Sequence, residues 1–186
     1  MKTSYDIEIA GTKRTLTLFP INDKLKIAGF IMFGDVEITI NSAKALLDKA
    51  PEFDVIITAE SKGIPLAYEM ARQSGKDYIV ARKGPKLYMS DVVTVEVNSI
   101  TTEKKQILCL GKAERDLMEG KKILIVDDVI STGESLESLI TLINKIGGNI
   151  VGKMTVLAEG DAIERKDITY LAPLPLFDNE GNPIED

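Results

Sequence analysis

At 186 residues, 44% hydrophobic and 28% charged, the chain is long enough for one domain with a sizeable core and too rich in apolar residues for a disordered one. Its net charge of −6 argues against broad attraction to nucleic acid, and no apolar run reaches the roughly 20 residues that span a bilayer, so neither nucleic acid nor membrane is an expected partner. Histidine is absent and Cys109 is the single cysteine, which excludes a Ser-His-Asp triad, a His-ligated zinc site and an internal disulfide; a cytoplasmic location is the default expectation.

The first 40 residues alternate polar and apolar from "TSYDIEIAGTKRTLTLF" onward and predict a small cap, or hood. In "SAKALLDKAPEF", Ser42 is the candidate N-cap of a helix that stops before Pro51. "FDVIITAE" is a β-branched run ending in a carboxylate; the turn at Gly63-Ile64-Pro65 and the amphipathic "LAYEMARQSG" follow, then the apolar "DYIVARK". Residues 53–81 therefore read as a βαβ unit with parallel strands. Between Met89 and Gly111 the alternation predicts an antiparallel hairpin or flap with "NSITTEKKQ" at its turn. "KKILIVDD" is a buried strand, and Leu136, Leu139, Ile140, Ile143 and Ile146 recur at helical spacing until Gly147-Gly148. "NIVGKMTVLAE" returns as a strand, and "LFDNEGNPIED" has so little periodicity that it predicts an exposed tail. The expected fold class is α/β, doubly wound with a mainly parallel sheet. It forms one domain over 1–186: hood 1–40, core 41–172, tail 173–186.

In an open parallel sheet, ligands bind beyond the carboxyl ends of the strands, which is where Asp127 and Asp128 fall. Ile130, Ser131, Thr132, Gly133, Glu134 and Ser135 then cover the turn into a helix, whose first N–H groups lack intrahelical partners. Those amides and the hydroxyls of Ser131, Thr132 and Ser135 make an anion seat, with Gly133 allowing close backbone approach. The loop has neither the lysine of a triphosphate-binding loop nor the spaced glycines of a dinucleotide fold. A carboxylate pair beside a phosphate seat suits a sugar phosphate: carboxylates accept from vicinal hydroxyls and can hold Mg2+.

"VDDVISTGES" resembles the phosphoribosyl pyrophosphate (PRPP) motif of the type I phosphoribosyltransferases. The resemblance implies their fold. It also implies that Asp127 and Asp128 hold the ribose hydroxyls and Mg2+, directly or through water and PRPP, and that residues 130–135 enclose the 5′-phosphate. "TAESKGIPLA" is similar to the family's pyrophosphate loop, which places Glu60, Ser61, Lys62 and Gly63 against the leaving group. "ARKGPKL" resembles a segment of adenine and related purine enzymes, implying pyrophosphate roles for Arg82, Lys83 and Lys86, sometimes across a dimer interface. "AGFIMFGDVEIT" looks like the base-reading segment of adenine phosphoribosyltransferases with one extra residue. Carried over, Phe33 stacks on the purine and the backbones of Met32 and Gly34 read its edge. The flap lacks the adenine-type acidic-tyrosine and proline pattern and looks closer to xanthine phosphoribosyltransferase and a PRPP-binding purine repressor.

The resemblance, over roughly residues 28–160, implies a Mg2+-dependent homodimeric purine phosphoribosyltransferase making AMP and pyrophosphate from adenine and PRPP. Asp127, Asp128 and Lys62 are the expected catalytic groups, with Glu96 in the flap as candidate acid or base. The alternatives are a 6-oxopurine enzyme and a PRPP-sensing transcription regulator.

Overall fold

The computed structural model describes residues 1–97 and 106–184. The hood begins as a hairpin of β1 (Ser4–Ile9) and β2 (Thr12–Pro20), closed by a two-residue turn at Ala10 and Gly11, both with positive φ. Antiparallel β3 (Leu25–Ala28) extends it. Alternation buries Ile7, Ile9, Leu16 and Leu18 and leaves their neighbours to solvent.

Helix α1 spans Val36–Leu47, seven residues earlier than a cap at Ser42 would start it, so that expectation is corrected. The cap is Asp35, whose carboxylate accepts the Ile38 N–H at 3.2 Å and is gripped by Arg14 through Nε (2.7 Å) and Nη2 (2.9 Å). Ser42 lies inside the helix on its buried face, in line with Ile38 and Leu46. The β-branched run Val36-Glu37-Ile38-Thr39-Ile40 reads as strand in sequence; the cap and burial of one helical face override that propensity.

The Arg14 guanidinium holds Asp35 below the ordinary carboxylate range. A lowered folded value contributes stability that is present above the unfolded pKa of about 4 and is lost as pH falls through the folded one. Asp35→Asn is therefore expected to lower the urea midpoint at pH 7 and by progressively less as pH falls below about 4; a loss independent of pH down to the acid limit of folding would sink the electrostatic account.

The core follows in chain order: β4 (Val55–Ala59), α2 (Ile64–Ser74), β5 (Asp77–Ala81), the hairpin β6 (Val93–Val97) and β7 (Gln106–Leu110), α3 (Lys112–Met118), β8 (Lys122–Ile130), α4 (Glu134–Lys145), β9 (Asn149–Glu159), a 3-10 turn at 160–164, and β10 (Thr169–Leu174). Neither α3 nor β10 is among the elements expected from sequence. The central sheet has the order β10-β9-β8-β4-β5 with every pair parallel, the doubly wound arrangement expected. All five residues of β4 are buried, as a parallel strand covered on both faces requires. One apolar cluster packs α1, α2 and the hood against Ile56, Leu124 and Val126; the other packs α4 and the hairpin foot against Ile57, Ile123 and Ile125. Cys109 is buried in β7, and burial raises its thiol pKa, as for a packing residue. Among the described residues no helix is long and apolar enough to cross a membrane.

The expectation of an exposed tail is corrected. β11 (Phe177–Asp178) pairs with β3 as the fourth strand of the hood, with Phe177 opposite Lys26. Phe177 is fully buried and packs edge-to-face on Tyr5 with ring centroids 5.0 Å apart. Asp178 accepts the N–H groups of Glu180 and Asn182, at 2.9 and 2.8 Å, so a side chain organises this turn where no periodicity can show. Phe177→Leu is expected to cost about 1–2 kcal/mol through lost volume and ring contact, read as a lower melting temperature. An unchanged melt would mean that the strand adds nothing to the hood.

Candidate active site

From β4 the chain winds outward to β5 on one side and returns as β8 on the other, so the loops after β4 and β8 flank the switch point where such sheets bind ligands. The two loops touch there. A Cβ added at Gly63 would lie 2.3 Å from Thr58 Oγ1 and 2.9 Å from Asp127 Oδ1, so only glycine lets α2 begin so close to the β8 carboxylate. Lys62 is exposed on the same turn, and its charge favours the ionised forms of Asp127 and Asp128. Glu60 turns toward the next loop: it accepts the Lys83 N–H at 2.8 Å and faces Arg82 at 3.4 Å. Arg82 in turn exchanges backbone hydrogen bonds with Cys109, which ties the basic loop to the foot of the hairpin. Among the described residues Arg82 Nε is buried without a hydrogen-bond partner; Lys83 is exposed and Lys86 half-buried.

At the end of β8, Asp128 is only 4% exposed, and its Oδ2 is buried without a hydrogen-bond partner among the described residues. Asp127 Oδ1 accepts the Asp128 N–H at 2.9 Å. Burial and then the neighbouring Asp128 charge push Asp127 well above the usual carboxylate range, and burial raises Asp128 too. Beyond them Val129 to Leu136 and Asp127 line a cavity of about 160 Å³ at the mouth of α4. Gly133 caps that helix in the left-handed region, at φ 83°.

The segment expected to read the base is the loop between β3 and α1. Met32 is buried in the core, Phe33 is 52% exposed, and Gly34 turns at φ 81°. Of the two side chains, only the Phe33 ring is accessible to a ligand. Glu96 is exposed on β6, where its neighbour Val95 faces the core; the hairpin turn, 98–105, lies outside the described residues.

The sequence pattern of the phosphoribosyl transferase domain matches residues 37–181, most of the chain and including both loops and the C-terminal strand of the hood. The chain belongs to the phosphoribosyl transferase domain family. It is 30% identical over 126 residues to the purine biosynthesis transcriptional repressor PurR of Bacillus subtilis, covering 67% of this chain and 43% of that protein. It is 37% identical over 100 residues to the adenine phosphoribosyltransferase of Thermotoga sp. strain RQ2, covering 54% and 56% of the two chains. The matched region is thus about half the length of each relative. The crystal structure of adenine phosphoribosyltransferase from Thermoanaerobacter pseudethanolicus superposes with a TM-score of 0.68 at 20% identity, over 85% of this chain and 95% of that one, which shows a shared fold.

Two side chains beside these loops escape the sequence reading. Glu159 ends β9 beside β8, is buried, and has its pKa raised by burial, an effect partly offset by the nearby Ser131. An acid closing an apolar strand, as in "VLAE", was the available signal. Arg165, after the 3-10 turn, lies against Gly133; nothing local in the sequence connects the two. Among the described residues no group of three or more acidic, cysteine or histidine side chains is arranged to hold a metal by itself.

Proposed function

We propose that this chain is a purine phosphoribosyltransferase that transfers the 5-phosphoribosyl group of PRPP to adenine, giving AMP and pyrophosphate. The observation that carries the reading is the meeting of a buried acidic pair with two strand-end loops, one suited to a phosphate and one followed by a basic segment, at the switch point of a parallel sheet. In the transfer the bond from C1′ to pyrophosphate breaks with its electron pair leaving on oxygen, and the purine nitrogen forms the new bond to C1′ and later gives up its proton. Asp127 and Asp128 accept from the ribose hydroxyls, and their charge favours the cationic sugar. The amides and hydroxyls of residues 130–135 hold the 5′-phosphate. The backbone at 60–63 and the side chains of Lys62, Arg82, Lys83 and Lys86 receive the leaving pyrophosphate, with Glu60 setting the distance between the two loops. Phe33 stacks on the base, the backbones of Met32 and Gly34 read its edge, and Glu96 is the candidate acid or base.

The acidic pair fits Mg2+: Asp128 offers a buried, unpartnered carboxylate oxygen beside a second carboxylate, the hard donors this ion takes. When bound, it would neutralise charge on the phosphates. Leu87 and Tyr88 stand exposed beside the basic loop, an apolar pair that the second copy of a cytoplasmic homodimer would cover.

The test is pyrophosphate release from PRPP and Mg2+ with adenine, hypoxanthine, guanine, xanthine, uracil or orotate supplied singly. Release with adenine alone is the expected result; release with a 6-oxopurine would move the base assignment. The similarity to the Bacillus subtilis repressor supports a second reading, in which the same site binds PRPP as an effector. Tight PRPP binding with no release for any base would favour it.

A further inference from the structure

We propose that Arg165 is a positioning residue for the phosphate loop, holding the left-handed turn at Gly133 from outside the cavity. The inference rests on the reading of residues 130–135 as the 5′-phosphate seat. That loop, Ile-Ser-Thr-Gly-Glu-Ser, carries no basic side chain and one acid, so shape and backbone dipoles must do most of its binding. Its sharpest point is Gly133, at φ 83°. The side chain against that point is Arg165: a Cβ built on Gly133 would meet Nη1 at 2.7 Å and, among the described residues beyond its chain neighbours and the α4 backbone, nothing but that guanidinium within 4 Å.

Three contacts fix the guanidinium where it stands. Nε and Nη2 fork onto Asp167 at 2.9 and 2.8 Å, and Nη2 also reaches Glu137, in the first turn of α4, at 3.1 Å. Lys153 also donates to Asp167 Oδ2, at 2.6 Å. The carboxylates occupy one edge of the planar group and leave Nη1 at the opposite end, toward the loop. A fork held in this way is ordered before any ligand arrives, so its ordering adds no cost to binding. Arg165 does not line the 160 Å³ cavity, so it acts through Gly133 and the α4 mouth without touching the ligand.

The test separates the two anion seats of one site. Ribose 5-phosphate and pyrophosphate are titrated separately, by calorimetry with Mg2+ present, into the wild-type protein, Arg165→Gln and Asp167→Asn. Arg165→Gln is expected to raise the Kd for ribose 5-phosphate about tenfold while leaving that for pyrophosphate within about twofold. Asp167→Asn, which unlocks the fork but keeps the arginine, should act in the same direction and less strongly; it carries the comparison alone if Arg165→Gln does not fold. A general structural role would instead weaken both ligands together, and that result, or an unchanged ribose 5-phosphate Kd, overturns the proposal. If the wild-type protein binds neither ligand, the phosphate-seat reading itself fails, and the role of Arg165 with it.

Discussion

Asp128→Asn is expected to lower kcat/KM with PRPP by about 10²- to 10³-fold, the loss typical of removing one preorganised electrostatic group from a site where charge develops. The variant keeps the shape of the side chain and removes its charge. Asp128 lies almost fully buried with one oxygen unpartnered, next to Asp127, whose pKa is pushed up by burial and by that charge. In the ligand-free protein such a pair is unfavourable, because two carboxylates share a poorly solvated end of β8, offset in part by Lys62. The same substitution should therefore raise the melting temperature of the unliganded protein, by about 2–4 °C for each kcal/mol of repulsion relieved. Scanning calorimetry without PRPP, set beside turnover with it, reads both effects. Unchanged turnover would remove the acidic pair from the chemistry, and a lower melting temperature would make it a structural element.

Gly63→Ala should damage the site from the opposite loop. Its φ of −74° suits any residue, so the penalty is steric: the new methyl would lie 2.3 Å from Thr58 Oγ1, 2.9 Å from Asp127 Oδ1 and 3.2 Å from the Asp127 Cα. Such overpacking costs about 1–3 kcal/mol. Pushing Asp127 aside by about 1 Å is enough to lower turnover roughly 100-fold. A second substitution separates the two losses. Thr58→Ala in the same chain removes the nearest atom and leaves both Asp127 contacts, so the double variant should regain part of the melting temperature and little of the activity. Full turnover in Gly63→Ala alone would show that the two loops move apart without consequence.

What the sequence revealed depended on how local each signal was. The β-branched runs of β4 and β8 and the glycines after α2 and α4 are each written within a dozen residues, and the structure places them as expected; the acidic pair, equally local in sequence, sits in the last four residues of β8. The start of α1 was hidden because its first turn is β-branched and its cap is secured by Arg14, on a different strand. β11 was hidden because one buried aromatic and a turn built on an aspartate side chain leave no period to detect. Arg165 and Glu159 reach the phosphate loop only through the alignment of β8 with β9 and β10, which no window on the sequence contains. The fold and the centre of the site are thus written locally, while the side chains that support the site are set by tertiary packing.

The place of β11 beside β3 also orders events in time. A chain made from its N-terminus presents β1, β2 and β3 early, yet the edge at Leu25 and Lys26 gains its partner only when Phe177 and Asp178 emerge. Until then the three-stranded hood exposes an open edge and the apolar face that Phe177 covers, next to the loop that carries Phe33. The α/β core, with its shorter-range pairings, can form while the hood waits. The part of the molecule assigned to recognising the base is therefore the last to be completed during synthesis.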